Sequence, residues 1–201
     1  MAEAVVLNAK NKKILFDVGV IYSSSVPIDL ETLDFKAIPT TMKLFGLTKG
    51  GVEFTAGMDV RDIEFDGSRE RKIKGMQRIV GGSGSIKVTG LELGENQLLF
   101  NLMEKVTGGT KYTKFVPRKS GLLQDSDYRY LMYVGKASDG SSAIIIIKNG
   151  YSSEGFTLKA EDKNEASYEM NVEGTWELND DLTDKDVPFE IYTSNNVSAL
   201  G

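Results

Sequence analysis

Alternation of apolar and polar residues between Ala166 and Leu178 is the strongest constraint on what this chain can fold into. The apolar positions share one parity, and they are Ala166, Tyr168, Met170, Val172, Trp176 and Leu178. A period of two is typical of a β-strand with one buried and one solvated face. The segment therefore predicts a long, half-buried strand.

Similar alternation occurs in two earlier segments. Apolar residues recur at every second position from Ile14 to Tyr22 and again from Val52 to Val60. The parity changes after Val60, which predicts a β-bulge near Arg61 and Asp62. Both segments are therefore predicted to be strands.

Two further segments add to a mainly β prediction. Residues 128–148, YRYLMYVGKASDGSSAIIIIK, predict a hairpin that turns at Asp139 and Gly140. The run from Ala143 to Ile147 is apolar at every position, which is typical of a strand buried on both faces in a sandwich. VPFEIY, residues 187–192, predicts a last strand, and Pro188 favours an edge position or a strand start.

One segment, residues 94–106, has the spacing of an amphipathic helix. Its apolar stripe consists of Leu98, Leu99, Leu102, Met103 and Val106. Gly108 and Gly109 follow as a C-terminal stop. We expect this helix to pack its stripe against a sheet.

The composition excludes many kinds of active site. The chain contains no histidine and no cysteine, so thiol nucleophiles, disulfides, thiolate metal sites and the commonest general base are absent. Carboxylates that could act as a catalytic pair are Asp125, Asp127, Asp180, Asp181 and Asp184. They lie in turn-like stretches where aspartate commonly bonds its own backbone, so solvated turns are the favoured interpretation. The sequence predicts no catalytic residue, no metal site and no cofactor.

A glycine cluster at IVGGSGS, residues 79–85, adjoins a basic run and suggests a phosphate-binding loop. Such loops place glycines between a strand and a helix, so that helix N-terminal amides face the phosphate. Here a strand-like segment, residues 86–89, follows instead. We therefore predict that Gly81, Gly82 and Gly84 form a flexible hairpin tip or connection within an extended loop at residues 66–85.

This predicted loop is basic and is interpreted as a surface that contacts another molecule. Its cations are Arg69, Arg71, Lys72, Lys74 and Arg78, and Glu70 alone opposes them in that run. Single-strand nucleic acid binding would need stacking aromatics, yet residues 66–99 contain none. The overall net charge of −5 also disfavours tight binding of nucleic acid.

Charge is divided unevenly along the chain. Residues 1–150 carry 21 basic and 17 acidic side chains, whereas residues 151–201 carry 3 and 12. The division favours either two solvated surfaces or a subunit whose basic face meets the acidic face of another copy. On the second hypothesis, the five cations above contact acidic residues of another copy, namely Glu161, Asp162, Asp180, Asp181 and Asp184.

The order of these segments resembles the major tail protein, or tail tube protein, of long-tailed bacteriophages, of the type found in phages of Gram-positive hosts. The resemblance is carried by KILFDVGVIY, then SGSIKVTGLELGENQLLFNLMEKVTGG, the isoleucine-rich hairpin, and FTLKAEDKNEASYEMNVEGTWELNDD. It implies one domain over residues 1–201, mainly β, a β-sandwich or half-barrel with one flanking α-helix. Residues 1–12 and 193–201 would be terminal arms, residues 66–85 an extended loop and residues 94–106 the helix.

The resemblance also implies a function and partners. Members assemble into hexameric rings that stack into the tail tube, the conduit for DNA ejection, and they are not enzymes. It implies contacts with further copies, with the tape measure protein and with tail completion or initiator proteins, while DNA passes without specific binding. The expected location is the virion tail after synthesis in the host cytoplasm, in line with the absence of an apolar N-terminal segment in the printed sequence.

Two other functions stay open at this point. A β-sandwich recognition module, such as a carbohydrate-binding or receptor-binding virion protein, would need exposed aromatics on a concave face. Trp176 is the only tryptophan, and its apolar register predicts a core position instead. A carboxylate hydrolase would need two acidic side chains paired in a pocket.

Overall fold

The computed structural model describes residues 15–33, 38–64, 72–106, 111–137, 142–160, 162 and 165–193. Within these ranges, thirteen strands and one α-helix follow one another along the chain. They are β1 (Leu15–Ser24), β2 (Met42–Leu44), β3 (Thr48–Asp62), β4 (Gln77–Gly90), α1 (Glu95–Phe100), β5 (Met103–Val106), β6 (Lys114–Pro117), β7 (Arg129–Ala137), β8 (Ser142–Gly150), β9 (Phe156–Lys159), β10 (Ser167–Glu173), β11 (Glu177–Leu178), β12 (Asp184–Asp186) and β13 (Phe189–Thr193). The mainly β prediction is confirmed.

The strands form two facing sheets and two short hairpins. Sheet I has the order β13-β8-β7-β1-β2, and sheet II has the order β3-β4-β10-β9. All of their neighbouring pairs are antiparallel. The pairs β5-β6 and β11-β12 form the two short hairpins. Antiparallel sheets suit the alternating sequence because one face of each can be buried and the other solvated.

The main core lies between the two sheets. Sheet I contributes Ile21, Leu131 and Ile147, and sheet II contributes Ile86, Val88, Tyr168, Met170 and Val172. Phe45 and Phe100 complete the cluster, with ring centroids 5.8 Å apart in an edge-to-face arrangement. The alternation from Tyr168 to Val172 is therefore confirmed as the buried face of β10.

The isoleucine run in β8 is buried on both faces, as predicted. Ile147 lies in the main core and Ile145 packs against it, whereas Ile144 and Ile146 lie in a second cluster with Met42 and Met132. The segment after β1 covers this second cluster with Ile28, Leu30, Leu33 and Ile38. β7 and β8 pair as the predicted hairpin, and the predicted turn at Asp139 and Gly140 lies outside the described residues.

The helix is shorter than the predicted residues 94–106. It ends at Phe100, where the Asn101 side-chain amide donates to the carbonyl of Gln97 at 2.7 Å and Leu102 turns with φ 54°. Residues 103–106 instead form β5, which pairs with β6. An isolated helix of this length is marginal in water, so strand pairing by the second half of the apolar stripe prevails.

The predicted strand over residues 166–178 is also divided. β10 ends at Glu173, and the chain crosses towards sheet I: Thr175 N donates to the carbonyl of Lys148 at 3.2 Å. Gly174 permits this crossing, because a Cβ there would lie 2.1 Å from the carbonyl oxygen of Pro188. The predicted core position of Trp176 is wrong, since this side chain is only half-buried and its indole Nε1 donates to the carbonyl of Gly82 at 2.7 Å.

The predicted extended loop over residues 66–85 is wrong in its second half. β4 begins at Gln77, so Gly81, Gly82 and Gly84 lie within a strand that pairs with β3. Gly84 is buried where the ring of Phe189 crosses β4, and a Cβ there would lie 2.3 Å from that ring. The glycines are thus sites of close packing, not a hairpin tip.

Two smaller predictions agree with the structure. The irregularity predicted near Arg61 and Asp62 lies between Asp59 and Val60, where the β3-β4 register shifts. Pro188 precedes β13, which is an edge strand of sheet I, as predicted. The predicted terminal arms, apart from residue 193, lie outside the described residues.

Gly84→Ala tests whether the sheets depend on this close approach. The added methyl group would displace the Phe189 ring, so we expect the free energy of unfolding to fall by about 1–3 kcal/mol, measured by denaturant unfolding. Gly81→Ala is the matched control on the same strand, because its Cβ would meet only an Asp59 carboxylate oxygen at 3.5 Å. Equal stability of the two variants would contradict the packing role of Gly84.

Candidate assembly surfaces

The outer half of the β3-β4 hairpin extends beyond the facing sheets, and on one side its residues 78–81 line a cleft with Trp176, Leu178 and Asp184. Val52 and Phe54 pack against the core at its inner end. Every residue from Thr55 to Glu64 is exposed, as is every residue from Lys72 to Val80. The outer hairpin is therefore held chiefly by hydrogen bonds between its own two strands.

This outer half exposes apolar side chains on both faces of the ribbon, and together they are here named the hairpin patch. It comprises Met58, Val60, Ile63, Ile73, Met76, Ile79 and Val80, all with at least 36% of their surface exposed. Val60 and Ile79 are cross-strand partners and are 55% and 61% exposed. Apolar clusters of this kind on a protein surface mark interaction sites.

Both sheets end in strands with a free edge among the described residues. β3 and β9 are the outer strands of sheet II, and β13 is an outer strand of sheet I. At the other end of sheet I, β2 pairs with Tyr22–Ser24 and Phe45 N donates to the Ile21 carbonyl, so residues 15–20 of β1 have no strand partner on that side within the described ranges. Unpaired edges are ready templates for pairing with another chain.

β13 also leaves an inward-facing apolar residue uncovered. Ile191 lies opposite Ile145, which packs against the core, yet Ile191 is 55% exposed. Sheet II therefore does not cover this end of sheet I. An additional strand or a neighbouring chain could bury Ile191.

The described part of the predicted basic run lies towards the end of the hairpin and is here named the basic tip (residues 72–78). Lys72, Lys74 and Arg78 are exposed. None of these three forms an ion pair with another described residue. Arg69 and Arg71 lie outside the described residues.

Most of the predicted acidic partners lie on the β11-β12 pair, here named the acidic hairpin (residues 177–186). Asp180 and Asp181 occupy its turn and Asp184 begins β12. Hydrogen bonds from the Thr183 side chain and backbone lower the pKa of Asp181. Asp162 is exposed after β9, and Glu161 lies outside the described residues.

Lys148 fixes the acidic hairpin to sheet I. Its ammonium group lies 2.8 Å from Asp186 Oδ1 and 2.5 Å from Glu190 Oε1, and its side chain is largely buried. Burial alone would lower the pKa of Lys148, but hydrogen bonds to Asp186 and Glu190 outweigh it, so the pKa is raised. Sequence patterns did not indicate this three-residue link between β8, β12 and β13.

Arg78 and Asp184, predicted to meet between copies, line one cleft within a single chain. This cleft, of about 410 Å³, also includes Ile79, Trp176 and Leu178. No ion pair joins Arg78 to Asp184 in the described structure. The base of the basic tip and the acidic hairpin are thus neighbours on the surface.

A second cleft, here named the aromatic cleft, was not predicted. It has a volume of about 510 Å³, and its lining includes Tyr128, Tyr130, Trp176, Asp125, Glu177 and Lys185. Burial and then nearby carboxylates raise the pKa of Tyr130, and burial, Tyr151 and two aspartates raise that of Tyr128. The YRY sequence at residues 128–130 was a signal for it, because two aromatics of one parity flank Arg129 at the start of β7.

No constellation with metal-binding composition occurs in the part of the chain that the structure describes. The described residues also include no helix that is long and apolar enough to cross a membrane.

Comparisons with known proteins give weak likenesses. No protein-family model and no curated protein matches the chain. A chain in the structure of the virion of a native gene transfer agent particle is 12% identical with a TM-score of 0.38, over 84% of this chain and 93% of that one. A chain in the tail of an empty gene transfer agent particle, with C6 symmetry, is 11% identical with a TM-score of 0.32, over 77% and 89%. Likenesses at these TM-scores do not establish a function.

The double variant Val60→Ser with Ile79→Ser tests the hairpin patch. Both side chains are exposed, so we expect the free energy of unfolding to change by less than about 1 kcal/mol. Self-association, measured by sedimentation velocity, should weaken because the apolar contact surface is lost. Leu122→Ser is the control, since Leu122 is 93% exposed outside the hairpin; undiminished association of the double variant would contradict a contact role.

Proposed function

We propose that this protein is the subunit of a phage tail tube, assembling into hexameric rings that stack into a conduit for DNA ejection. The observation that carries the proposal is the β3-β4 hairpin, which exposes an apolar patch and ends in unpaired cations. Such a hairpin buries little within its own chain, and a second copy would bury it. The resemblance in segment order to the tail tube family supports the same assignment.

Ring closure would use the two ends of sheet I. β13 lies at one end, and the uncovered part of β1 lies towards the other, so one copy can add its edge to the edge of the next. The two edges differ in sequence, and such head-to-tail contacts generate a ring when the rotation between copies closes. Ile191 would become buried in this contact.

Ring stacking would use the hairpins. The basic tip would contact acidic residues of another copy, and the proposed partners remain Glu161, Asp162, Asp180, Asp181 and Asp184. Those that the structure describes are exposed, so this attraction would weaken as salt increases. The hairpin patch would add apolar burial to the same contact.

The remaining roles follow from this assembly. The protein would have no catalytic activity and would reside in the virion tail, where a tape measure protein and completion or initiator proteins would contact the tube. DNA would pass without specific binding, as suits a chain of net charge −5.

The aromatic cleft favours a second candidate, a carbohydrate-binding or receptor-binding virion protein. Tyr128, Tyr130 and Trp176 lie on a concave surface, which is the feature that such a module needs. Glycan arrays with the intact protein would show binding on this alternative and none on the tube proposal.

Negative-stain microscopy over a concentration series, with light scattering on the same samples, tests the proposed function. Rings or hollow tubes of uniform width are expected. A monomer that persists at every concentration, even when tail initiator proteins are added, would contradict the assignment.

Ile191→Lys tests the sheet edge. We expect this variant to remain a folded monomer and to form no rings, because a charged lysine on an edge strand opposes strand addition. Ile191→Thr is the control, since threonine keeps a β-branched side chain without charge, and it should still assemble. Normal rings from Ile191→Lys, seen by microscopy, would exclude this edge as the contact.

A further inference from the structure

We propose that the aromatic cleft is the receptor for the basic tip of a second copy, with Lys72 and Lys74 as the inserted cations. This inference rests on the proposed function, because it requires that copies of the chain assemble. It adds a specific receptor beside the acidic hairpin, since Glu177 and Lys185 of that hairpin also line the cleft.

The walls of the cleft are aromatic and are held in place. Tyr130 donates its hydroxyl to Asn149 Oδ1 at 3.1 Å, and Trp176 donates its indole N–H to the Gly82 carbonyl. Tyr128 packs edge-to-face on Tyr151 with ring centroids 5.9 Å apart. Aromatic rings fixed in this way bind ammonium groups through their negative faces and lose little freedom on binding.

The charges of the cleft also match a cation. Asp125 lines it and forms no ion pair with a described residue, while Glu177 pairs with Lys185. Glu177 raises the pKa of Lys185, and Tyr130 and Asp125 add to that effect. The cleft already accommodates one ammonium group and retains a carboxylate for another.

Part of the hydrogen-bonding capacity of the cleft, including several of its donors, is used within the chain. The Trp176 and Tyr130 donors are engaged as described, Thr175 Oγ1 donates to the Asn149 carbonyl at 2.8 Å, and Lys185 bonds Glu177. The Asp125 carboxylate, which has no ion-pair partner among the described residues, remains as an acceptor beside the aromatic rings, and a lysine ammonium group can donate to it.

The same chain's tip does not fill the cleft. Lys72 and Lys74 are exposed and line neither of the two clefts around Trp176. They form no ion pair among the described residues, so their charges are available to another molecule. A second copy would insert its Lys72 and Lys74 into this cleft. Its own cleft would in turn offer acceptors to the tip of another copy.

Trp176 provides the test, because it is the only tryptophan of the chain and lines the cleft. Its emission is followed in a concentration series of the intact protein, with light scattering on the same samples. We expect a saturable change that accompanies association. The double variant Lys72→Glu with Lys74→Glu should require at least roughly tenfold higher concentration, as should Asp125→Lys.

Exchanging the charges of tip and cleft distinguishes a specific contact between them from nonspecific attraction between charged surfaces. The triple variant Lys72→Glu, Lys74→Glu and Asp125→Lys should recover association and the Trp176 response, because tip and cleft are again opposite in charge. The controls are Lys114→Glu with Lys119→Glu, and Glu154→Lys, which make the same charge changes at exposed positions elsewhere. They should behave as the wild type, and unfolding curves confirm that each variant folds.

The outcomes distinguish this inference from the proposed function. Tubes that form while Trp176 emission stays constant, or without recovery in the triple variant, would overturn the cleft as receptor and leave the tube assignment intact. A charge-dependent Trp176 response with dimers but no tubes would support the cleft and contradict the tube. If the protein neither associates nor changes its Trp176 emission, the tube assignment and the cleft proposal are both overturned. If neutral oligosaccharides change the Trp176 emission and the tip variants do not alter that change, the cleft binds a sugar and the cleft proposal is overturned.

Discussion

The structure depends on the contact between Phe189 and the backbone of β4 at Gly84. Phe189 belongs to the edge strand of sheet I and also packs edge-to-face on Phe54 of sheet II, with ring centroids 5.6 Å apart. This one ring therefore joins strands that are distant in sequence. Because Gly84 has no side chain, the ring can lie directly on the strand, and Gly174 allows a similar close crossing at Pro188. The two sheets meet at these positions, and the hairpin emerges beside them.

Much of the fold could be predicted from the sequence because burial follows the period of the chain. The alternation in β10 and the double-sided apolar run in β8 determine which faces are buried, and both agree with the structure. The helix was overextended because a stripe at Leu98, Leu102 and Val106 fits a helix, while β5 gains a partner strand that no local pattern indicates. The glycine cluster was misassigned for a related reason. Glycine marks both turns and close crossings, and only the distant Phe189 distinguishes them.

The candidate surfaces were predictable only where charge is local in sequence. The basic tip is one run of cations, so a contact role could be proposed from the sequence, although Gln77 and Arg78 belong to β4 and not to a loop. The aromatic cleft draws on residues from Ser25 to Lys185, and no spacing in the sequence brings them together. The half-buried position of Trp176 follows from the departure of the chain at Gly174, which alternation could not reveal. Apolar alternation therefore predicts which face of a strand is buried, but it does not predict where the strand ends and the burial of single residues changes.

The charges of the hairpin have a further consequence for the free chain. Apolar residues on an exposed two-stranded ribbon promote indiscriminate association. The exposed cations Lys72, Lys74 and Arg78 lie among these apolar residues, and the same hairpin also exposes Asp59, Asp62 and Glu64. Charged residues of either sign interrupt an apolar strand surface and oppose its random self-association. The charged residues thus oppose uncontrolled association through the apolar residues of the hairpin.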